Sequence, residues 1–275
     1  MKTKLLIFCS IVLLTTTSTQ AQFWNKIKQK VEDRAADKVD DVLNGKEQTD
    51  RSTSETTSET TANRNIPYIE EVFSFVPGET LLFEDQFIED QKGMMPNYWK
   101  SSGNGSVVTL DGYQGKWLMM EENSTYKLDT LINLPENFTI EFELITTSDK
   151  AEDLTQMNFG FAEDNSVRAT LLDAYNDGAV TSTEFQFHNE EITHSSNDKD
   201  AYHNLNFPFD GYSNTKIKVS IVVQGTEMRV YLDKSKILDR TMFLKGTTKF
   251  FYITAPLHYD KGSKLFFGNF KMAAM

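Results

Sequence analysis

From Ile66 to the C-terminus, apolar and polar residues alternate in short runs such as Thr139-Ile140-Glu141-Phe142-Glu143-Leu144, Glu184-Phe185-Gln186-Phe187-His188 and Lys216-Ile217-Lys218-Val219-Ser220-Ile221. A period of two puts successive side chains on opposite faces, so each run predicts a strand with one buried face. The same pattern predicts strands over 79–87, 106–111, 115–121, 157–163, 166–173, 226–232, 236–240, 248–254 and 264–273. Between them stand turn signals such as Asp111-Gly112, Gln224-Gly225 and Lys261-Gly262. About a dozen short strands without a helical period between them predict an all-β domain, an antiparallel sandwich over 66–275.

The first 65 residues follow other rules. Lys2 and Lys4 precede an apolar run from Leu5 to Leu14, and a polar stretch then ends at Thr19-Gln20-Ala21. That is the layout of a secretory signal over 1–21, and the run is far short of the ~20 residues a membrane span needs. Over 22–44 the apolar residues Ile27, Val31, Ala35, Val39 and Val42 recur at the spacing of one helical face. Lys26, Lys28 and Lys30 open this amphipathic segment and Asp37, Asp40 and Asp41 close it, against the helix dipole, so the helix gains little by itself. Its 23–43 stripe fits either a solvated helix or a docking and self-association segment. Residues 45–65 are rich in Ser, Thr and Glu with no large apolar side chain, which predicts a flexible tether.

Charge and cysteine narrow the chemistry. The formal charge is −12, and a cleaved signal takes Lys2 and Lys4 with it. Such a chain repels phosphate backbones, which argues against nucleic acid as a partner. The one cysteine, Cys9, lies inside the signal's apolar run, so the exported chain has no disulfide, thiol nucleophile or thiolate metal site. Four histidines, His188, His194, His203 and His258, supply a zinc site poorly.

Three stretches resemble one family: Phe75-Val76-Pro77-Gly78-Glu79, Leu82-Phe83-Glu84-Asp85-Gln86-Phe87 and Met95-Pro96-Asn97-Tyr98-Trp99. They look like the jelly-roll module that precedes the peptidoglycan-binding domain in some outer-membrane-protein-A family envelope proteins. The run from Ile217 through Arg229-Val230-Tyr231-Leu232-Asp233 to Ile237-Leu238 is similar to the penultimate hairpin of concanavalin A-like lectin and glucanase sandwiches, and Leu265-Phe266-Phe267-Gly268-Asn269-Phe270 resembles their last strand. The resemblance covers roughly 66–275 and departs from the family where the chain stops at Met275 without a peptidoglycan-binding domain, so attachment to the cell wall is not carried over. It implies a concanavalin A-like jelly roll in the cell envelope, periplasmic, outer-membrane associated or secreted. It also implies a structural calcium where the terminal strands meet, with Glu84, Asp85 and Asn269 as oxygen donors, although acids on an edge strand facing solvent give the same pattern.

Catalytic patterns are sparse. Glycosidases on such a sandwich place paired carboxylates at alternate positions of one strand. Glu141 and Glu143 share a strand face in that way, but so do the acids of any solvated strand. Neither a nucleophile-elbow serine motif, a zinc-protease helix motif nor a phosphate loop occurs. Trp99 and Trp117 fit core packing better than sugar stacking, since both stand at strand starts among apolar neighbours. Arg168, Gln186 and His188, with Asp173, Tyr175 and Tyr202 in nearby loops, form a candidate ligand site of polar and aromatic groups on an exposed concave sheet face, although a plain solvated face gives the same pattern. The expectation is a non-catalytic envelope protein whose lectin-like sandwich binds a glycan or an envelope protein, with a secreted glycan hydrolase or lyase on the same fold as the alternative.

Overall fold

The computed structural model describes residues 73–167, 170–175 and 178–275. The signal, the amphipathic helix, the tether and Arg168 lie outside the described residues.

The described residues form the expected all-β antiparallel sandwich, with fifteen strands in two sheets. In chain order they are β1 (Thr80–Asp85), β2 (Trp99–Ser101), β3 (Gly105–Val108), β4 (Trp117–Met120), β5 (Thr125–Leu128), β6 (Asn137–Thr147), β7 (Gln156–Ala162) and β8 (Ala179–Gln186). They continue as β9 (Glu191–Ser196), β10 (Ala201–Asn206), β11 (Lys216–Gln224), β12 (Glu227–Leu232), β13 (Ser235–Thr241), β14 (Phe250–Thr254) and β15 (Lys264–Ala274).

One sheet runs β13-β12-β11-β6-β15-β4-β3, with β1 also paired to β15; the other runs β10-β9-β8-β7-β14-β5-β2. Between the two inner faces lies a phenylalanine-rich core. Phe142 meets Phe159, Phe251 and Phe267 at centroid distances of 5.4, 5.7 and 5.6 Å. Trp99 stands edge-on to Phe267 and Phe270 at 4.9 and 5.1 Å. Such tilted and edge-to-face pairs add to the stabilisation of simple burial.

Alternation explains the long strands. In β6, Phe138, Ile140, Phe142 and Leu144 point into the core, while Glu141 and Glu143 face outward. Lys218 and Lys216 on β11 stand beside these acids, with ion-pair distances of 2.5 Å to Glu141 and 3.1 Å to Glu143. This pair is therefore the solvated outer face of the larger sheet.

Trp99 and Trp117 pack as expected. Trp99 is in the main core, and Trp117 joins Ile145 and Phe266 in a small cluster on the outer face of the larger sheet. At Gly268 a Cβ would come within 2.8 Å of the Trp117 ring, so glycine is what lets that ring lie flat on β15.

One expected strand is absent. Of 166–173, the described residues 166, 167 and 170–173 are not extended sheet. Leu171 donates its N–H to the Thr125 hydroxyl at 2.9 Å instead of to a neighbouring strand. Its side chain packs with Ala162, Ala179 and Tyr252 on the outside of the smaller sheet. The apolar residues that suggested a strand form a covering segment instead.

Candidate functional site

The smaller sheet has a half-covered outer face. On β8, Phe185 enters the core while Ser182, Glu184 and Gln186 alternate outward; the β8–β9 register then places Ser195 beside Ser182 and Thr193 beside Glu184. Across the β9–β10 ladder, Tyr202 lies beside Ser195 and Asn204 beside Thr193. Over β5, β14 and β7 this face is roofed by the described residues between Glu163 and Gly178, which are themselves joined by an N–H to carbonyl bond of 3.0 Å. The roof is tied down by Asn165 Nδ2 to the Leu128 carbonyl at 2.9 Å and Thr170 Oγ1 to the Asn123 carbonyl at 2.6 Å. Further along, the Ala174 N–H reaches Ser195 Oγ at 3.3 Å and the Tyr175 hydroxyl donates to the Ala201 carbonyl at 3.0 Å. Ser182, Thr193 and Ser195 are covered as well, and the face opens at Glu184, Gln186, Tyr202 and Asn204.

Lys127 on β5 lies beneath this roof, with its ammonium donating to the Asp164 carbonyl at 2.8 Å. Burial pushes its amine down to about 8, partly offset by Asp164. Because the unfolded amine titrates near 10.5, the unfolded chain holds the extra proton between those values. Stability is therefore expected to rise with pH from about 8 to about 10.5. Lys127→Met is expected to flatten that rise and to raise stability at neutral pH by roughly 1–2 kcal/mol, read by urea unfolding across the pH range.

On the open half, a polar chain runs across three strands. Asn189 Nδ2 donates to Gln186 Oε1 at 2.8 Å, and Gln186 Nε2 donates to Glu184 Oε2 and to Thr193 Oγ1, both at 3.2 Å. Thr193 Oγ1 in turn donates to Asn204 Oδ1 at 3.2 Å. Burial raises the Glu184 carboxyl; the Gln186 amide and His188 oppose this, while Asp173 and Glu191 add to it. Beside this network the rings of Tyr175 and Tyr202 are 44% and 58% exposed, unusually open for large aromatic side chains. Partial burial raises the Tyr175 phenol, and Asp200, Asp173 and Tyr202 add to the shift, so these groups share one neighbourhood.

The structure thus brings Asp173, Tyr175, Gln186 and Tyr202 to one face. His188 is close enough to act on Glu184, although its Nδ1 hydrogen-bonds the Thr155 carbonyl at 3.0 Å. Arg168 lies outside the described residues. Sequence reasoning missed Glu184, Thr193 and Asn204. Glu184 was findable, because it stands two residues before Gln186 in an alternating run and must share its face.

The three calcium candidates do not form one oxygen cage. Asp85 points inward, its Oδ1 accepting from the Phe87 N–H at 2.8 Å and its Oδ2 from Trp99 Nε1 at 2.9 Å. Glu84 points outward and accepts from Gln86 Nε2 at 2.7 Å, while Asn269 Nδ2 donates to Glu143 Oε2 at 2.6 Å. Glu84 and Asn269 share a shallow outer groove with Lys218 and Lys271, in which Lys218 already pairs with Glu141. Among the described residues no group of three or more His, Cys, Asp or Glu side chains is placed to hold a metal ion.

No protein-family model matches the sequence, and no curated protein matches it. Solved structures similar to the chain include arcelin-5, a lectin-like defence protein from Phaseolus vulgaris. It is 14% identical at a TM-score of 0.49, with 70% of this chain and 97% of that one covered. The carbohydrate binding module CBM66 from Bacillus subtilis is 14% identical at 0.42, with 67% and 99% covered. A sialidase is 13% identical at 0.47, with 73% of this chain and 19% of that one covered. Likeness of this degree concerns sandwich architecture and not the chemistry of any face.

Proposed function

We propose that the protein is an exported, non-catalytic envelope protein whose sandwich binds a glycan on the open β8–β10 face of the smaller sheet. The observation that carries this reading is the pairing of the Asn189–Gln186–Thr193–Asn204 network with two exposed tyrosine rings. Amides and hydroxyls held by their neighbours present fixed donors and acceptors to sugar hydroxyl and acetamido groups, and aromatic faces cover the apolar side of a pyranose. The covering segment fixes where the open face begins.

Tyr202→Ala and Gln186→Ala are each expected to weaken binding of a neutral oligosaccharide about tenfold, with thermal stability nearly unchanged for the exposed Tyr202. A glycan array on the whole chain, followed by titration calorimetry of the hits, is the measurement. Silence across neutral glycans, or hits indifferent to both substitutions, would remove this face as the site.

One observation favours the alternative of a glycan hydrolase. Glu184, raised by burial and close to Asp173, has the environment of a general acid. Against it, the Gln186 amide already binds that carboxylate. Release of reducing sugar that disappears in Glu184→Gln would establish the enzyme; binding that persists in that variant without any hydrolysis supports the binding module.

A further inference from the structure

A second concavity adjoins this face. The open edges of the two sheets, β10 and β13, enclose a cleft of about 610 Å³. Leu205, Ile237 and Leu238 give it an apolar wall, and His194 lies at its base. Tyr202 and Asn204 line both this cleft and the polar face, so the two are one continuous surface bent around β10. From β8 to β10 the sheet spans about 10 Å, so a ligand reaching from Gln186 into the cleft is a chain of several sugars rather than one ring.

The charges change sign along this path. Around Gln186 stand Glu184, Asp173 and Glu191. In the cleft, Asp239 is held by Lys236 at 2.9 Å. Arg240 is exposed on the rim and has no ion-pair or hydrogen-bond partner among the described residues. Its planar donor fork matches a carboxylate or sulfate in two-point contact.

We infer that the β10–β13 cleft extends the glycan face and binds an anionic unit of a linear polysaccharide through Arg240, while a neutral unit lies on the face at Tyr202. The inference rests on the reading of that face as a glycan site. It names the ligand class as a heteropolysaccharide that alternates neutral and anionic sugars. A polymer charged at every unit would meet repulsion from Glu184 and Asp173.

Titration calorimetry of the whole chain with two oligosaccharides of equal length tests this. One is a hyaluronan hexasaccharide, which alternates an acetamido sugar with a uronate, and the other is neutral chitohexaose. At low salt the hyaluronan hexasaccharide is expected to bind about tenfold more tightly, and added salt should erase most of the difference. Arg240→Ala should abolish the preference and leave chitohexaose binding as it was, and Arg240→Lys should restore it only in part. If Tyr202→Ala weakens both probes while Arg240→Ala weakens neither, the face stands and the cleft falls. If neither probe binds, both readings fall together.

Discussion

Asp85→Ala is expected to lower stability by about 3 kcal/mol or more, the largest single effect foreseen outside the core hydrophobics. Its two oxygens accept from the Phe87 N–H and from Trp99 Nε1, and both neighbours are buried. Phe87 has a φ of 59°, a left-handed conformation that a bulky residue adopts only when its surroundings impose it. The Asp85 carboxylate supplies that constraint, turning the chain at the end of β1 so that the Phe87 ring enters the core. Without it, two buried donors lose their acceptors and the turn loses its clamp. Asp85→Asn should recover only part of the loss, because an amide offers one acceptor where two are used. Denaturant midpoints give the size of the effect, and the near-ultraviolet signal of Trp99 reports whether the ring has moved. Destabilisation below about 1 kcal/mol in the alanine variant would show that the clamp is dispensable.

Acid should weaken the fold through His194. This side chain lies between the sheets, its Nε2–H placed to donate to the Ile237 carbonyl on β13 at 3.1 Å and its Nδ1 to accept from the Thr183 hydroxyl on β8 at 3.0 Å. Burial pushes the imidazole down to about 3, with the Ile237 hydrogen bond opposing and His203 adding to the shift. The unfolded imidazole protonates near 6.5, so between about 6.5 and about 3 the unfolded chain binds more protons than the folded one. The contribution of this group is therefore complete above 6.5 and falls away with acidification, by up to about 1.4 kcal/mol for each pH unit. Asp85 and Glu184 act in the opposite sense, since burial raises their carboxyls, so the informative quantity is the difference between wild type and variant. His194→Gln keeps a donor for Ile237 and cannot titrate. It should cost about 1–2 kcal/mol at neutral pH and match or exceed wild type by pH 4. Parallel stability curves for the two proteins would contradict the assignment.

What could be read in advance followed from whether a residue's face had one neighbour or two. Strands with one wet face, such as β6 and β11, show their alternation openly: Phe142 and Leu144 against Glu141 and Glu143 left little choice of orientation. β2, β5, β9 and β10 were not among the expected strands, and for β5 and β9 the reason is physical. In Thr125-Tyr126-Lys127-Leu128 every residue is buried, including a lysine, because the covering segment lies on the outward side. In Glu191-Ile192-Thr193-His194-Ser195-Ser196 the buried residues are mostly polar, since hydrogen bonds across the sheets and to that segment replace apolar contacts. The strand expected over 166–173 is the same effect seen from the other side, with Leu171 apolar because it covers a sheet rather than belonging to one. At the candidate site, Gln186 was legible as an outward strand position and Tyr202 only as a loop residue. Their meeting was not, because β8 touches β10 only through β9, a strand that no pattern announced.

The position of β15 has a consequence for how the chain reaches its native state. The last strand sits in the interior of the larger sheet, paired with β6 on one side and with β4 and β1 on the other, so it bridges segments well over a hundred residues upstream. Contacts this distant must close large loops before they repay the entropy lost, which makes such topologies slow to form. On the ribosome, β1 and β4 therefore wait beside β6 with a gap between them, and the larger sheet can zip shut only after synthesis has delivered Lys264–Ala274.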